Sequence, residues 1–207
     1  MKHASLSTFG GVLLLCLCNG VSAALLDFTD NSVGYTGTVD GIGYTLTPTG
    51  GALDRSEGGP SGIPGCSVLV CDNDGVGITG GKDNDEVDSD ESLTLEFASA
   101  VYITGFHFLD LFKVEQVKVV VDGDISSAFY IDAVLAPGVD GGYLNYVLSS
   151  PILASKLEFF AELSTGDQGD NNYALAGVNV SAVPLPPAVW LFGSAIIGLV
   201  GFRRNSS

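Results

Sequence analysis

Ser92-Leu-Thr-Leu-Glu-Phe97 and, shortly after it, Val101-Tyr-Ile-Thr-Gly-Phe-His-Phe-Leu-Asp-Leu-Phe112 decide the fold class. In the first segment Leu93, Leu95 and Phe97 alternate with Ser92, Thr94 and Glu96, a period of two that sends successive side chains to opposite faces of a strand. The second is apolar at both parities, as expected of a central strand covered on both faces. Working outward, Ile42, Tyr44 and Leu46 alternate with Gly43, Thr45 and Thr47, and Val117, Val119 and Val121 with Gln116, Lys118 and Val120. Leu157, Phe159, Ala161 and Leu163 repeat the pattern, and Tyr173 to Ser181 reads as a closing strand. Asp-Gly pairs at Asp40-Gly41, Asp122-Gly123 and Asp140-Gly141 are hairpin turn signals. No amphipathic helical stretch interrupts the series. About eight to ten such strands predict an all-β domain over residues 24–182, an antiparallel β-sandwich or jelly-roll-like fold, with a closed barrel as the alternative.

The 207 residues suffice for one domain. The formal charge is −16, and Lys2, Arg203 and Arg204 lie near the ends; residues 24–182 therefore hold all 24 acids beside Arg55, Lys82, Lys113, Lys118 and Lys156, a net −19. Nucleic acid and anionic membrane surfaces are excluded as partners of such a domain, because binding to phosphate depends on Lys and Arg releasing counterions. A mean hydropathy of +0.37 sits oddly beside so many acids. The conflict resolves once the apolar residues are seen to collect at the two ends.

At the N-terminus, Lys2 precedes an uncharged apolar run centred on Val12-Leu13-Leu14-Leu15-Cys16-Leu17, followed by Val21-Ser22-Ala23. This is the tripartite pattern of a secretory signal peptide over residues 1–23. Its apolar core is too short to span a bilayer, and small residues precede the cleavage point between Ala23 and Ala24. Cys16 and Cys18 leave with the leader. At the other end no charge occurs between Asp170 and Arg203, and Ala188 to Phe202 reads as one apolar helix. Counted from Pro184 it reaches about 28 Å, close to the ~30 Å hydrocarbon core. Arg203 and Arg204 would stay cytoplasmic and everything upstream outside, the topology that a signal peptide also requires.

The order Val183-Pro184-Leu185-Pro186-Pro187, an apolar helix opening Ala-Val-Trp-Leu-Phe-Gly-Ser, then Arg203-Arg204 and a stop, closely resembles the PEP-CTERM sorting signal in its VPLPA variant. The resemblance covers residues 183–207. It implies a bacterial protein anchored temporarily in the inner membrane and processed by an exosortase, a membrane-embedded cysteine protease or transpeptidase, in cells that make exopolysaccharide. Signal peptidase and exosortase are the implied processing partners, exopolysaccharide the implied companion, and the outer surface or extracellular space the implied destination. Pro187 departs from the variant, which usually has Ala there, and a further proline stiffens the site. The stretch from Leu25-Leu-Asp-Phe-Thr-Asp30 to Asn171-Asn-Tyr-Ala-Leu-Ala-Gly-Val-Asn-Val180 also resembles, loosely, the β-sandwich domains that such proteins carry.

Candidate chemistry is sparse. Cys66 and Cys71 are the only cysteines outside the leader, and export favours a disulfide between them over two free buried thiols. Asp72 and Asp74, and Asp83, Asp85, Asp88 and Asp90, crowd carboxylates into loops. They read either as calcium ligands or as a solvated acidic face, and an EF-hand is excluded because Asp88 stands where an obligatory Gly is needed. His107 is the single histidine of residues 24–182 and is assigned to one face with Ile103, Leu109 and Leu111, a core or interface histidine before a catalytic base. No Ser/His/Asp constellation or zinc ligand set is apparent. The reading is therefore a non-enzymatic surface or matrix protein; the alternatives are a lectin-like carbohydrate-binding module and, behind it, a glycosidase with paired carboxylates.

Overall fold

The computed structural model describes residues 23–55, 64–81, 84–88, 90–134, 141–163 and 171–183. The leader segment 1–22, Asp83, Asp140 and residues 184–207, with the expected apolar helix, Pro184, Leu185, Pro186, Pro187, Arg203 and Arg204, lie outside them. Ten strands follow in order: β1 (Ala23–Asp27), β2 (Thr36–Val39), β3 (Ile42–Thr49), β4 (Ala52–Asp54), β5 (Gly77–Thr79), β6 (Ser92–Phe112), β7 (Gln116–Val121), β8 (Asp124–Asp132), β9 (Gly141–Phe160) and β10 (Ala174–Ala182). A single 3₁₀ turn, Pro64–Ser67, is the only helical element among the described residues, and no helix there is long and apolar enough to cross a membrane.

Strands β6 and β9 are the axis of the fold. They pair antiparallel from Ser92 opposite Phe160 to Phe112 opposite Gly141, but the ladder breaks twice near its middle. Glu96 faces Lys156 and the next pair is Val101 with Ala154, so Phe97 to Ala100 stand against Ser155 alone. Ile103 then faces Ile152 while Gly105 faces Val147, leaving Leu148 to Pro151 opposite Thr104. A proline fits there because a bulge asks for no ladder hydrogen bond from it. Across these bulges the neighbours change. The first half of β6 pairs with β3 and the second half with β10, while the second half of β9 pairs with β7. One layer is therefore β2-β3-β6-β9-β7-β8 and the other β1-β10-β6-β9, with β6 and β9 passing through both.

The core shows that the two layers face each other. Phe159 pairs with Leu93, and on a straight ladder the run from Leu93 to Phe106 would span roughly 40 Å. Instead the Phe106 and Phe159 rings are 5.7 Å apart and nearly perpendicular, and Phe106 also lies 6.3 Å from Phe129 of β8. The ladder is folded over on itself, the arrangement of a sandwich built from long shared strands. Leu93, Leu95, Phe97, Val117, Val119, Leu157, Phe159 and Ala161 are all buried, as their alternation predicts, and so are Ile42, Tyr44 and Leu46. Val121 and Leu163 are only half-buried, and Val120 is buried in place of Val121, where the register shifts between Val119 and Val121. The closing strand is β10, whose Leu175, Val178 and Val180 join the same core. Asp40-Gly41 and Asp122-Gly123 both have positive φ at each residue (51° and 78°, 50° and 76°), the mirror-image turn that matches strand twist.

Tyr173 is fully buried with its ring edge-on to Phe108 at 5.5 Å, yet no described group bonds its hydroxyl. A buried hydroxyl without a partner costs about 1 kcal/mol or more. Tyr173→Phe is therefore expected to raise stability by about 1 kcal/mol, read as a higher midpoint in urea with an unchanged slope.

Candidate functional site

The bulges that fold the axis also set the face on which His107 stands. Ile103, Phe106, Phe108 and Leu111 all pack in the main core, while Leu109 belongs to a second, smaller cluster with Leu69, Ala174 and Ala176. The register shifts between Ile103 and Gly105 and between Leu109 and Phe112, each resetting the parity of β6. His107 thus does not share a face with Ile103 and Leu111, as unbroken alternation assigns it. It lies on the outer side of the second layer, only 1% exposed. Its Nε2 is 2.9 Å from Asn179 Nδ2 and its Nδ1 is 3.2 Å from the Tyr143 hydroxyl. Because the amide nitrogen only donates, Nε2 accepts and Nδ1–H donates to Tyr143. Burial pushes the imidazole below its ordinary pKa, against the charge of Asp27. Both ring nitrogens are engaged and the ring is held neutral, which is the environment of a structural histidine.

That outer side is covered by the disulfide loop. Cys66 and Cys71 are bonded, with Cα atoms 5.6 Å apart, so the expected disulfide is present. A buried carboxylate fastens the loop to the segment after β1. Asp27 Oδ1 accepts from Thr29 N (2.9 Å) and Thr29 Oγ1 (2.6 Å), and Asp27 Oδ2 accepts from Val70 N (2.8 Å). Thr29 Oγ1 accepts in turn from Cys71 N (2.9 Å), and Asn73 Nδ2 donates to Thr29 O (3.0 Å) and Asn31 Oδ1 (3.0 Å). Cys71 itself takes φ 57°, an uncommon conformation for a side chain of that kind.

The six candidate calcium ligands fall into separate environments. Asp72 Oδ2 accepts from Asn31 N at 3.4 Å. Asp88 and Asp90 lie beside Glu91, whose Oε2 accepts from Asp88 N at 3.0 Å; burial, with the charges of both aspartates behind it, pushes the Glu91 carboxyl up. Asp74 and Asp85 instead approach Asp110 of β6, and Asp83 is outside the described residues. The Asp85 backbone runs so close to β5 that a Cβ on Gly77 would lie 1.9 Å from its carbonyl oxygen, so glycine alone fits there. Among the described residues no three His, Cys, Asp or Glu side chains are grouped to hold a metal ion.

Asp110 is the unusual carboxyl of that group. Burial first, then the charges of Asp74 and Asp85, push it up to about 6. A raised acid holds its proton in the folded chain over a pH range where the unfolded chain has released it. Its contribution is full below the ordinary carboxylate value and is lost as the pH rises through about 6. Asparagine keeps the shape and tolerates the left-handed φ of 52° at this position. Asp110→Asn is expected to stabilise by about 1–2 kcal/mol at pH 7.5, after allowing for solvent screening, and to lose that advantage at pH 4. Paired thermal melts in chelator at the two pH values check both halves.

A cleft open to solvent, of about 380 Å³, lies against the break in the β6–β9 ladder and is lined by Glu96, Phe97, Asp122, Ser155 and Lys156. Asp122 is the first residue of the turn between β7 and β8. Its Oδ1 accepts from Ser155 N (2.9 Å), Ser155 Oγ (2.9 Å) and Lys156 N (2.8 Å), tying the turn to the residue that faces the bulge of β6. Partial burial works to raise its pKa, but those bonds and the Lys156 charge hold it below the usual carboxylate value. Lys156 Nζ pairs with Glu158 Oε2 at 3.1 Å. The cleft thus presents fixed acceptors, an ammonium and a hydroxyl to solvent. Sequence reading sees only a turn at Asp122-Gly123. Ser155 and Lys156 carry no motif, and cross-strand register alone brings them to that turn.

The described residues that border the two expected processing sites lie at one corner. Ala23 and Ala24 open β1, and Val183, 40% exposed, directly follows β10. No protein-family model and no curated protein matches the chain. Among solved structures it is similar to the family 32 carbohydrate-binding module from C. perfringens NanJ in complex with galactose, at 13% identity and a TM-score of 0.33, over 65% of this chain and 93% of that one.

Proposed function

We propose that the chain is the precursor of an exported, non-catalytic surface or matrix protein, delivered by its leader and retained in the inner membrane until an exosortase acts at the Pro-rich motif. The observation that carries this reading is the order Val183-Pro184-Leu185-Pro186-Pro187, apolar segment, Arg203-Arg204, behind a separate N-terminal leader. The bonded Cys66 and Cys71 suit an oxidising compartment. Engagement of both nitrogens of His107 supports a structural domain over a base-catalysed enzyme. Pro184→Ala with Pro186→Ala tests it: the expected result is normal membrane insertion with processing blocked, because the fixed extended backbone is gone. Release of the double variant at the wild-type rate would contradict it.

A second reading, a lectin-like carbohydrate-binding module, is favoured by the cleft at Asp122 and Lys156. Its acceptor and donor groups suit the hydroxyls of a neutral glycan. A glycan array read with the wild type and with Glu96→Gln and Lys156→Ala decides it: signal lost in both variants supports binding at the cleft, and no signal from the wild type rejects it.

A further inference from the structure

β1 and β10 run antiparallel, so the beginning of the domain lies against its end: Ala23 faces Ser181, Ala24 faces Val180, and the pairing continues to Asp27 opposite Gly177. One strand spacing, about 4.8 Å, separates the two. Resting on the leader assignment above, we propose that closure of β1 onto β10 hides the Ala23–Ala24 bond, so that signal peptidase acts only before the sandwich closes and a chain that folds first keeps its leader.

The argument is steric and needs no new chemistry. Signal peptidase adds water across the Ala23–Ala24 peptide, leaving a carboxylate on Ala23 and an amine on Ala24. A protease takes its substrate as an extended strand whose main-chain groups bond to the enzyme groove. Here the residues on both sides of the bond already bond to β10, and Phe28 N extends the run by donating to Ala176 O at 2.8 Å. Presenting them would mean peeling Ala23, Ala24 and Leu25 off β10, and Leu26 (2% exposed) and Phe28 (0%), held in the core just beyond, resist that peeling. The last pair of β10 is Ala182 with Val101, and Val183 lies past it. Ala23 and Val183 therefore stand at one corner, but of these two only Ala23 is paired in the sheet.

The test uses the full-length precursor in detergent with purified signal peptidase, presented either oxidised and folded or freshly diluted from urea. Cutting at Ala23 at least tenfold faster from urea is expected, with folded Leu26→Ala recovering part of the difference because β1 is less firmly held. A second variant locks the strand: cysteines at Leu25 and Asn179, which face each other, should block cutting until reduced. Equal rates from folded and unfolded precursor would overturn the proposal while leaving the leader assignment intact. No cutting at Ala23 in either state would overturn both.

Discussion

Phe106→Ala is expected to lower the unfolding free energy by about 3–5 kcal/mol, the largest loss for any single truncation considered. Phe106 is fully buried and touches both layers, with Phe108 on its own strand at 6.1 Å, Phe159 at 5.7 Å and Phe129 at 6.3 Å. Removing the ring deletes its transfer free energy and leaves a void between two sheets that the β6–β9 axis holds at a fixed separation, so collapse is restricted. For a domain of this size the melting point should fall by about 10 °C or more. Phe106→Leu, which fills most of the volume, should recover over half of the loss. A drop below 1 kcal/mol for the alanine variant, measured in urea, would mean that the layers do not meet at this residue.

Asp27→Ala is expected to cost about 3 kcal/mol, although it removes only one small side chain. Asp27 is 8% exposed and its two oxygens accept from Thr29 N, Thr29 Oγ1 and Val70 N, all charge-assisted. Without it those buried donors lose their acceptor, and an unmet buried donor costs more than a bond gains. Two further readouts separate this from a general loss of packing. The loop carrying Cys66–Cys71 loses its fastening, so the disulfide should be reduced faster by a small thiol. The charge that raises the His107 pKa also disappears, so the imidazole titration followed by NMR should move lower still. Asp27→Asn keeps one acceptor and should fall between the two. A titration of His107 identical to wild type in the alanine variant would contradict the assignment.

Alternation made the strands around Leu93, Val117 and Leu157 readable, because one face of each is buried and the other wet, and the Asp-Gly turns likewise. The union of Ser92–Phe97 and Val101–Phe112 into one strand was not readable, since the bulge from Phe97 to Ala100 has no period and its cause is a neighbour more than fifty residues away. The face of His107 was misassigned for the same reason: each bulge resets parity, and nothing local in the sequence marks it. Strand β8 was hidden because Asp124-Ile-Ser-Ser-Ala128 lies at a sheet edge and has little to bury. Of the site residues, the disulfide was legible from redox context. The cleft was not, because Asp122, Ser155 and Lys156 meet only through register.

The central claim, an exported domain trimmed at both ends, is tested most directly by the intact mass of the protein released from cells that carry an active exosortase. The account predicts one species that begins at Ala24, ends within residues 183–187 and has lost two hydrogens to the Cys66–Cys71 bond. A released species that still ends at Ser207 would contradict it.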